Sequence, residues 1–293
     1  MITGFNLFHP LANLIYFLGV LLLTMMLMDP LALVILLIGQ ISYGFIISGH
    51  KKVFQSFRFS FPIGILMVII NPLINHRGRI ILFELFGKSI TFEAVLMGAM
   101  MAISLIVIIT MFVSYEEIVD YHKFIFIVGR VLPKTAFLTT MTIRYIPLLK
   151  RRYEIISFTR RMIVVTEGNL MSRIKSVNQK ILMLLGWSVE SAITTSDSMT
   201  ARGYGLVERS RYQSYTWQVR DSLYVTVSVV LLSILVFFRI EGRLYMQVYP
   251  DMVVATRDMI DYLLYGGLFA FVNIPLWIEW KEQYRWHYSG SKN

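Results

Sequence analysis

The sequence contains no cysteine and few charged residues. The lack of cysteine excludes disulfide bonds, thiolate metal sites and cysteine nucleophiles. Charged residues make up 16% of the 293 residues, whereas a soluble globular domain carries about 25%. Apolar residues make up 56%, and the mean hydropathy is +0.62. A disordered chain and an ordinary soluble enzyme are therefore both poor fits, and the composition favours a membrane protein.

Apolar runs close to the length of a membrane-spanning helix occur six times, so we predict an all-α polytopic membrane protein with about six transmembrane helices. The predicted spans are residues 11–28, 31–47, 61–74, 92–113, 223–238 and 260–278. Asp29-Pro30 predicts a tight turn between the first two spans. Pro62 and Pro72 predict that the third span is tilted, kinked or re-entrant. The N-terminus lacks a charged signal region, so we expect the first run to be retained as a span.

The segments between these runs differ in their predicted structure. Residues 48–60 read as a polar connector, and residues 80–91 as a small hairpin or an interfacial loop. Residues 115–217 contain no span-length apolar run and form a predicted cytoplasmic domain. This domain separates an N-terminal transmembrane region, residues 1–114, from a C-terminal one with a polar tail, residues 218–293.

The basic residues are concentrated on one predicted side of the membrane. The net charge is +10, and 16 of the 28 Lys and Arg residues lie between residues 115 and 221. If this block is cytoplasmic, the connector and the tail are on the same side, and 22 of the 28 basic residues are inside. The positive-inside rule therefore predicts a multi-pass protein of the cell membrane with both termini in the cytoplasm.

Two long amphipathic helices are predicted in the central block. The stripe of the first includes Leu138, Met141, Tyr145, Leu148, Arg152, Ile155 and Thr159, widened by Leu149 and Ile156. Pro133 is suited to the start of this helix, and Pro147 predicts a kink or a break near Tyr145. The second helix runs from about Ser172 to Arg202, with a stripe of Ile174, Val177, Ile181, Leu184, Ser188, Ala192, Thr195 and Met199.

The second half of the latter stripe is rich in small residues, which allow two helix backbones to approach closely. We therefore expect two long crossed helices on the cytoplasmic face of the membrane. A pair of interfacial helices lying on anionic lipid is the alternative, and it would explain the basic face but not the small residues along the contact stripe.

Each of these helices ends on arginine, at Arg160-Arg161-Met162 and at Ala201-Arg202-Gly203. Helix capping explains such endings, because cations favour a helix C-terminus and glycine favours the left-handed cap. Arginine is also suited to inserting its planar guanidinium into an acidic pocket of a partner. Two arginines at two helix ends would give a two-pronged contact.

At these residues the sequence resembles the transmembrane coupling subunit, or T component, of energy-coupling factor (ECF) transporters, and the related permease subunit of cobalt transporters. The most specific segment is Val189–Tyr204, followed by Arg144-Tyr145-Ile146-Pro147-Leu148. Three weaker landmarks occur in the same order as in the family: His9-Pro10, Asn71-Pro72-Leu73 and Ile90-Thr91-Phe92-Glu93. The resemblance covers residues 9 to about 215.

The resemblance implies that the two arginine motifs dock into two ABC ATPase subunits. Arg202, with Ala201 and Gly203, matches the second motif, and Arg161 is the central arginine of the first. The first motif departs from the usual Ala-Arg-Gly, since Arg160 and Met162 flank Arg161; its register is therefore open, and Arg160 could share the role. Coupling-helix packing is assigned to Arg144, Pro147, Glu190, Ala192, Asp197 and Met199. Glu190 and Asp197 are expected to pair with basic residues of the other helix.

The implied function is energy coupling in an ECF-type importer. The partners are two ABC ATPases, one small membrane substrate-binding subunit for a vitamin or metal ion, and the lipid bilayer. We expect no nucleic acid, no metal site and no cofactor in this chain, with ATP and magnesium on the ATPases and no catalysis here. A conventional ABC permease would need a polar pathway in its own spans, and an intramembrane enzyme would need converging acid–base or metal groups. The sequence shows neither pattern.

Overall fold

A computed structural model of the chain describes residues 4–75, 78–85, 88–163, 170–206, 215–246, 248 and 258–290. These residues are almost entirely helical, which confirms the predicted all-α class. The elements are a 3-10 turn at Gly4–Leu7, α1 Pro10–Met26, α2 Pro30–Ile47, α3 Gly49–Ile74, β1 Ile81–Leu85, β2 Lys88–Thr91, α4 Phe92–Ile118, α5 Tyr121–Val131, α6 Pro133–Ile163, α7 Leu170–Ala201, α8 Val219–Ile240 and α9 Met259–Gly290. The chain divides into two compact units, residues 1–124 with 215–293, and residues 125–214.

Five of the described helices are long and apolar enough to cross a membrane, namely α2, α3, α4, α8 and the segment Met259–Glu282 of α9. The remaining predicted span, residues 11–28, corresponds to α1. This apolar helix has 17 residues, at the lower limit of the usual range of about 17–25 for a spanning helix. The first unit is therefore a polytopic membrane bundle. Within it α4 packs against α1, α2 and α3, α9 packs against α2 and α8, and α1 packs against α8.

The turns between spans follow local sequence rules. His9 and Asp29 are the N-caps of α1 and α2, and each is followed by proline at the first helical position. The side chain of Asp29 accepts from the backbone N–H of Ala32 at 3.1 Å, and also from the Tyr265 hydroxyl at 2.8 Å. These dipeptides fix the helix starts because the cap satisfies a free N–H and proline has none to satisfy.

The prediction for residues 48–60 was wrong, because the polar connector is the first half of α3. Val53, Ser56, Ser60 and Gly64 are buried and recur every three or four residues, which places one narrow face of α3 against α4. The helix continues through Pro62 and Pro72. The predicted hairpin is confirmed, since β1 and β2 pair antiparallel.

Buried polar contacts hold the N-terminal residues inside the first unit. The Glu279 carboxylate accepts from the backbone N–H groups of Gly4 at 3.0 Å and Phe5 at 2.9 Å, and it is 2% exposed. Nearby, the ammonium of Lys123 donates to the carbonyl of Asn6 at 2.8 Å. Burial lowers the pKa of Lys123 from its ordinary value of 10.5 to about 8, against an opposing effect of the charge on Asp120.

Candidate docking hairpin

Helices α6 and α7 form an antiparallel hairpin with contacts along its whole length. As the contacts advance towards the C-terminus of α6, their partners move towards the N-terminus of α7. Four pairs mark this register: Phe137 with Tyr204 at 5.3 Å between ring centroids, Tyr145 with Thr195 at 2.7 Å between hydroxyl oxygens, Arg152 with Trp187 at 5.3 Å from guanidinium carbon to ring centroid, and Arg160 with Ser176 at 3.2 Å from nitrogen to carbonyl oxygen.

The residues of α6 that face α7, which we call the seam, coincide only in part with the predicted stripe. Predicted stripe residues Met141, Tyr145 and Arg152 are half-buried on the seam, together with the widening positions Leu149 and Ile156. The other predicted members are exposed: Leu138, Leu148, Ile155 and Thr159. The contact therefore runs along a narrower i, i+4 row than the apolar pattern indicated.

On α7 the first half of the predicted stripe was wrong. Ile174, Val177 and Ile181 are exposed by 65%, 46% and 45%, so they lie outside the seam. Ser176 is buried and Gln179 is half-buried, and both bond to Arg160. The half-buried guanidinium of Arg160 needs hydrogen-bond acceptors, and this part of α7 supplies the backbone carbonyl of Ser176 and the side-chain oxygen of Gln179. The second half agrees with the prediction in part, since Leu184, Ser188, Thr195 and Met199 are half-buried but Ala192 is exposed.

Both prolines of α6 lie where the sequence suggested, and a break near Tyr145 does not occur. Pro133 begins the helix, as predicted. Pro147 does not break it, since the helix continues to Ile163. A proline removes one hydrogen bond, whereas contacts to α7 on both sides, at Tyr145 and Arg152, hold the two halves in register.

The two adjacent arginines at the end of α6 have different surroundings. Arg160 is half-buried, and its guanidinium donates to the Ser176 carbonyl at 3.2 Å and to the Gln179 side chain. Arg161 and Met162 are exposed, Met162 by 68%. Arg160 therefore contributes to the hairpin itself, while Arg161 presents its charge to the surroundings.

The end of α7 has the hydrogen bonds of a Schellman cap. The N–H of Tyr204 donates to the Met199 carbonyl at 3.0 Å, and the N–H of Gly203 donates to the Thr200 carbonyl at 3.0 Å. Gly203 has a φ of +78°, a left-handed conformation that costs other residues energy. The cap ends the helix at Ala201, and the side chain of Arg202, the next residue, is exposed.

Arg161 and Arg202 thus lie at opposite ends of the hairpin. Arg161 is in the last turn of α6, and Arg202 directly follows the last residue of α7. Because the helices are antiparallel, these two C-termini point in opposite directions. The helical rise per residue separates the two arginines by about 35 Å along the hairpin axis.

Most residues predicted to pack the helices together are on the outside of the hairpin. Arg144, Pro147, Glu190, Ala192 and Asp197 are exposed, and only Met199 is half-buried on the seam. Within the ranges that the structure describes, no ion pair involves Glu190 or Asp197. The expected pairing across the helices is therefore absent from these ranges.

Two contacts of the hairpin were not predicted from the sequence. They are the hydrogen bonds of Arg160 to Ser176 and Gln179, and the stacking of Tyr204 on Phe137. The spacing of Phe137, Met141 and Tyr145 in steps of four was the available signal for the true seam. No local pattern indicated Ser176 and Gln179, since both read as ordinary exposed positions. Among the described residues, no group of three His, Cys, Asp or Glu side chains could hold a metal ion.

Comparison with known proteins gives matches over most of the chain. Residues 6–213, from the first helix to beyond the end of α7, match a protein family described as CbiQ, cobalt transport protein. The energy-coupling factor transporter transmembrane protein EcfT of Staphylococcus aureus is 24% identical over 233 residues, covering 75% of this chain and 84% of the relative. The proteins of the same name from Lactococcus lactis and Streptococcus equi are 41% and 36% identical over 70 and 72 residues, each match covering 24% of this chain and 26% of the relative.

Proposed function

The chain belongs to the cobalt transport protein family, and we propose that it is the energy-coupling transmembrane subunit of an ECF-type importer. In this proposal two ABC ATPase subunits bind and hydrolyse ATP with magnesium. A separate small membrane subunit binds the transported vitamin or metal ion. The chain itself carries out no reaction and couples the ATPases to the substrate-binding subunit. The relatives named as energy-coupling factor transmembrane proteins support this role.

The observation that carries the proposal is the placement of Arg161 and Arg202. Both side chains are exposed, each lies at a helix C-terminus, and they mark opposite ends of one hairpin. One ATPase subunit would bind at each end, through an acidic groove that accepts the guanidinium. A change in the distance between the ATPases during hydrolysis would then apply a force to the hairpin at its two ends.

The internal contacts of the hairpin suit the transmission of such a load. Aromatic, polar and cation–π contacts tie α6 to α7 at four levels. A force applied at one end is therefore shared by both helices. We propose that the hairpin lies on the cytoplasmic side, that both termini are cytoplasmic, and that the hairpin passes the movement to the substrate-binding subunit. No contact with nucleic acid is proposed, since the basic residues serve the ATPases and the membrane surface.

The proposal is tested with single alanine variants of the two arginines. Arg202→Ala and Arg161→Ala are each expected to reduce ATP-driven uptake and ATPase co-purification by about tenfold or more, because each removes a charged anchor at a docking groove. Arg151→Ala is the matched control, since Arg151 is exposed on α6 but lies away from both ends. Normal assembly and normal uptake in Arg202→Ala would refute the docking role.

A further variant separates the two adjacent arginines. Arg160→Ala is expected to loosen the hairpin because it removes the bonds to Ser176 and Gln179, whereas Arg161→Ala leaves the hairpin intact. Hydrogen exchange across α6 and α7 measures this difference. Purification of the tagged chain in detergent tests the remaining alternatives: two ATPases and a small hydrophobic protein should co-purify, whereas a chain that purifies alone with hydrolytic activity would refute the proposal.

A further inference from the structure

The N-terminal segment, Gly4–His9, is tied by its backbone to both C-terminal spans of the first unit. On the α9 side, the Glu279 carboxylate accepts from the N–H groups of its first two residues. On the α8 side, Arg220 donates to the carbonyl of Leu7 at 2.9 Å, and Asp221 accepts from the last N–H of the segment at 3.4 Å. The segment therefore bridges the start of α8 and the C-terminal part of α9.

The ammonium of Lys123 binds the same segment. It donates to the carbonyl of Asn6 at 2.8 Å and to the side-chain oxygen of Asn6. In the amide orientation that satisfies its neighbours, Asn13 accepts from the Lys123 ammonium at 3.1 Å and donates to the Phe5 carbonyl at 3.3 Å. Lys123 is 4% exposed, and Asn13 is completely buried. An ammonium has three donors, so these three acceptors satisfy it completely.

Lys123 also lies where the chain leaves the first unit. Helix α5, Tyr121–Val131, is continuous, and the boundary between the two units falls within it, after Phe124. The rest of α5 belongs to the second unit, which contains the hairpin of α6 and α7. The other chain connection between the units, at residues 207–214, lies outside the described residues. A displacement that travels along α5 therefore enters the first unit beside Lys123.

We propose that Lys123 is the coupling residue through which a movement of the hairpin is passed to the N-terminal segment, and from there to α8 and α9. This inference rests on the proposed energy-coupling function. Contiguous hydrogen-bond networks can carry coupling between distant sites. The contact of Lys123 with Asn6 and Asn13 resists separation, because a buried ammonium without acceptors is strongly unfavourable. The segment then shifts the ends of α8 and α9 together, since it is bonded to both.

Hydrogen exchange of the chain with its co-purified subunits, with and without a non-hydrolysable ATP analogue and magnesium, tests the proposal. In the natural complex, the analogue should change exchange about threefold or more in α6 and α7 and also in residues 4–9. In Lys123→Met the change in α6 and α7 should persist, whereas the change in residues 4–9 should fall below about 1.5-fold. An undiminished change in residues 4–9 of Lys123→Met would overturn the proposal.

The failure of this inference and the failure of the proposed function give different results. If the analogue changes α6 and α7 of the natural complex but leaves residues 4–9 unchanged, Lys123 has no coupling role and the energy-coupling function still stands. If the natural chain binds no ATPase, or if its hairpin does not respond to the analogue, the function is refuted and this inference with it.

Two further variants separate coupling from a loss of stability, and each is compared with itself in the two nucleotide states. Leu235→Ala removes a buried side chain of α8, far along the helix from Asp221, and should weaken the first unit without abolishing the response of residues 4–9. Asn6→Ala removes only one of the three acceptors of Lys123, so it should fold and give an intermediate response. A lost response in Leu235→Ala, or a response at the natural level in Asn6→Ala, would overturn the proposal.

Discussion

The buried carboxylate of Glu279 is expected to be among the residues on which the stability of the first unit most depends. It accepts two backbone N–H groups, from Gly4 and Phe5, across almost the whole length of the chain. Phe5 is completely buried at the centre of an aromatic cluster, with ring centroids 5.5 Å from Tyr224, 5.8 Å from Tyr16 and 6.2 Å from Tyr43. The carboxylate therefore holds the residue around which α1, α2 and α8 meet.

The magnitude follows from the two hydrogen bonds. Hydrogen bonds to a charged group contribute about 1.5–3 kcal/mol each. Glu279→Gln keeps one acceptor and turns an amide NH₂ towards a backbone N–H, so we expect a loss of about 2–3 kcal/mol in the free energy of unfolding. Glu279→Ala leaves both N–H groups buried without an acceptor, and a loss of about 3–5 kcal/mol is expected.

Unfolding of the chain from mild detergent by increasing fractions of SDS, followed by circular dichroism, measures these differences. Glu241→Gln is the control, because Glu241 is exposed just after α8 and its substitution should change the free energy by less than about 0.5 kcal/mol. The double variant Glu279→Gln/Phe5→Ala should lose less free energy of unfolding than the sum of the two single variants, since both substitutions release the same segment. A Glu279→Gln protein as stable as the natural chain would refute this account.

Two further predictions concern Lys123 and the hairpin seam. Burial lowers the pKa of Lys123 to about 8, so between pH 8 and about 10.5 the unfolded chain holds a proton on Lys123 that the folded chain has released. The contribution of Lys123 to the free energy of unfolding therefore rises with pH across that window. The difference in the free energy of unfolding between Lys123→Met and the natural chain should change with pH there, and a pH-independent difference would contradict the assignment. In the hairpin, a double-mutant cycle of Tyr145→Phe and Thr195→Val should give a coupling of about 0.5–1 kcal/mol in hydrogen-exchange stability, because the two hydroxyls share one hydrogen bond; strictly additive effects would show that the bond is not maintained in solution.

Several features were predictable from the sequence because they depend on neighbouring residues alone. The apolar runs set the spans, and the pairs His9-Pro10 and Asp29-Pro30 set the starts of α1 and α2. Gly203 set the end of α7 through its left-handed cap. The family assigned from these and other motifs is confirmed by the match over residues 6–213. The assigned docking roles of the two arginine motifs remain predictions.

Other features required contacts between distant parts of the chain. Whether residues 48–60 were a loop or a helix depended on α4, which buries the small residues along one face of α3. The true seam of the hairpin depended on Arg160, which needs acceptors and finds them on Ser176 and Gln179. Apolar periodicity alone favoured the stripe of Ile174, Val177 and Ile181, since it does not register a polar contact made by a partner helix.

The sequence by itself determined that the chain spans a membrane, that its central block is basic and that each long helix ends on arginine. These properties follow from composition and local capping. Only the tertiary structure decided that the two helices are antiparallel and that Arg160 turns inward while Arg161 stays exposed. Whether a side chain points inward depends on which face of its helix packs against the other helix. That packing involves residues far apart in the sequence. The two arginines consequently lie at opposite ends of one hairpin.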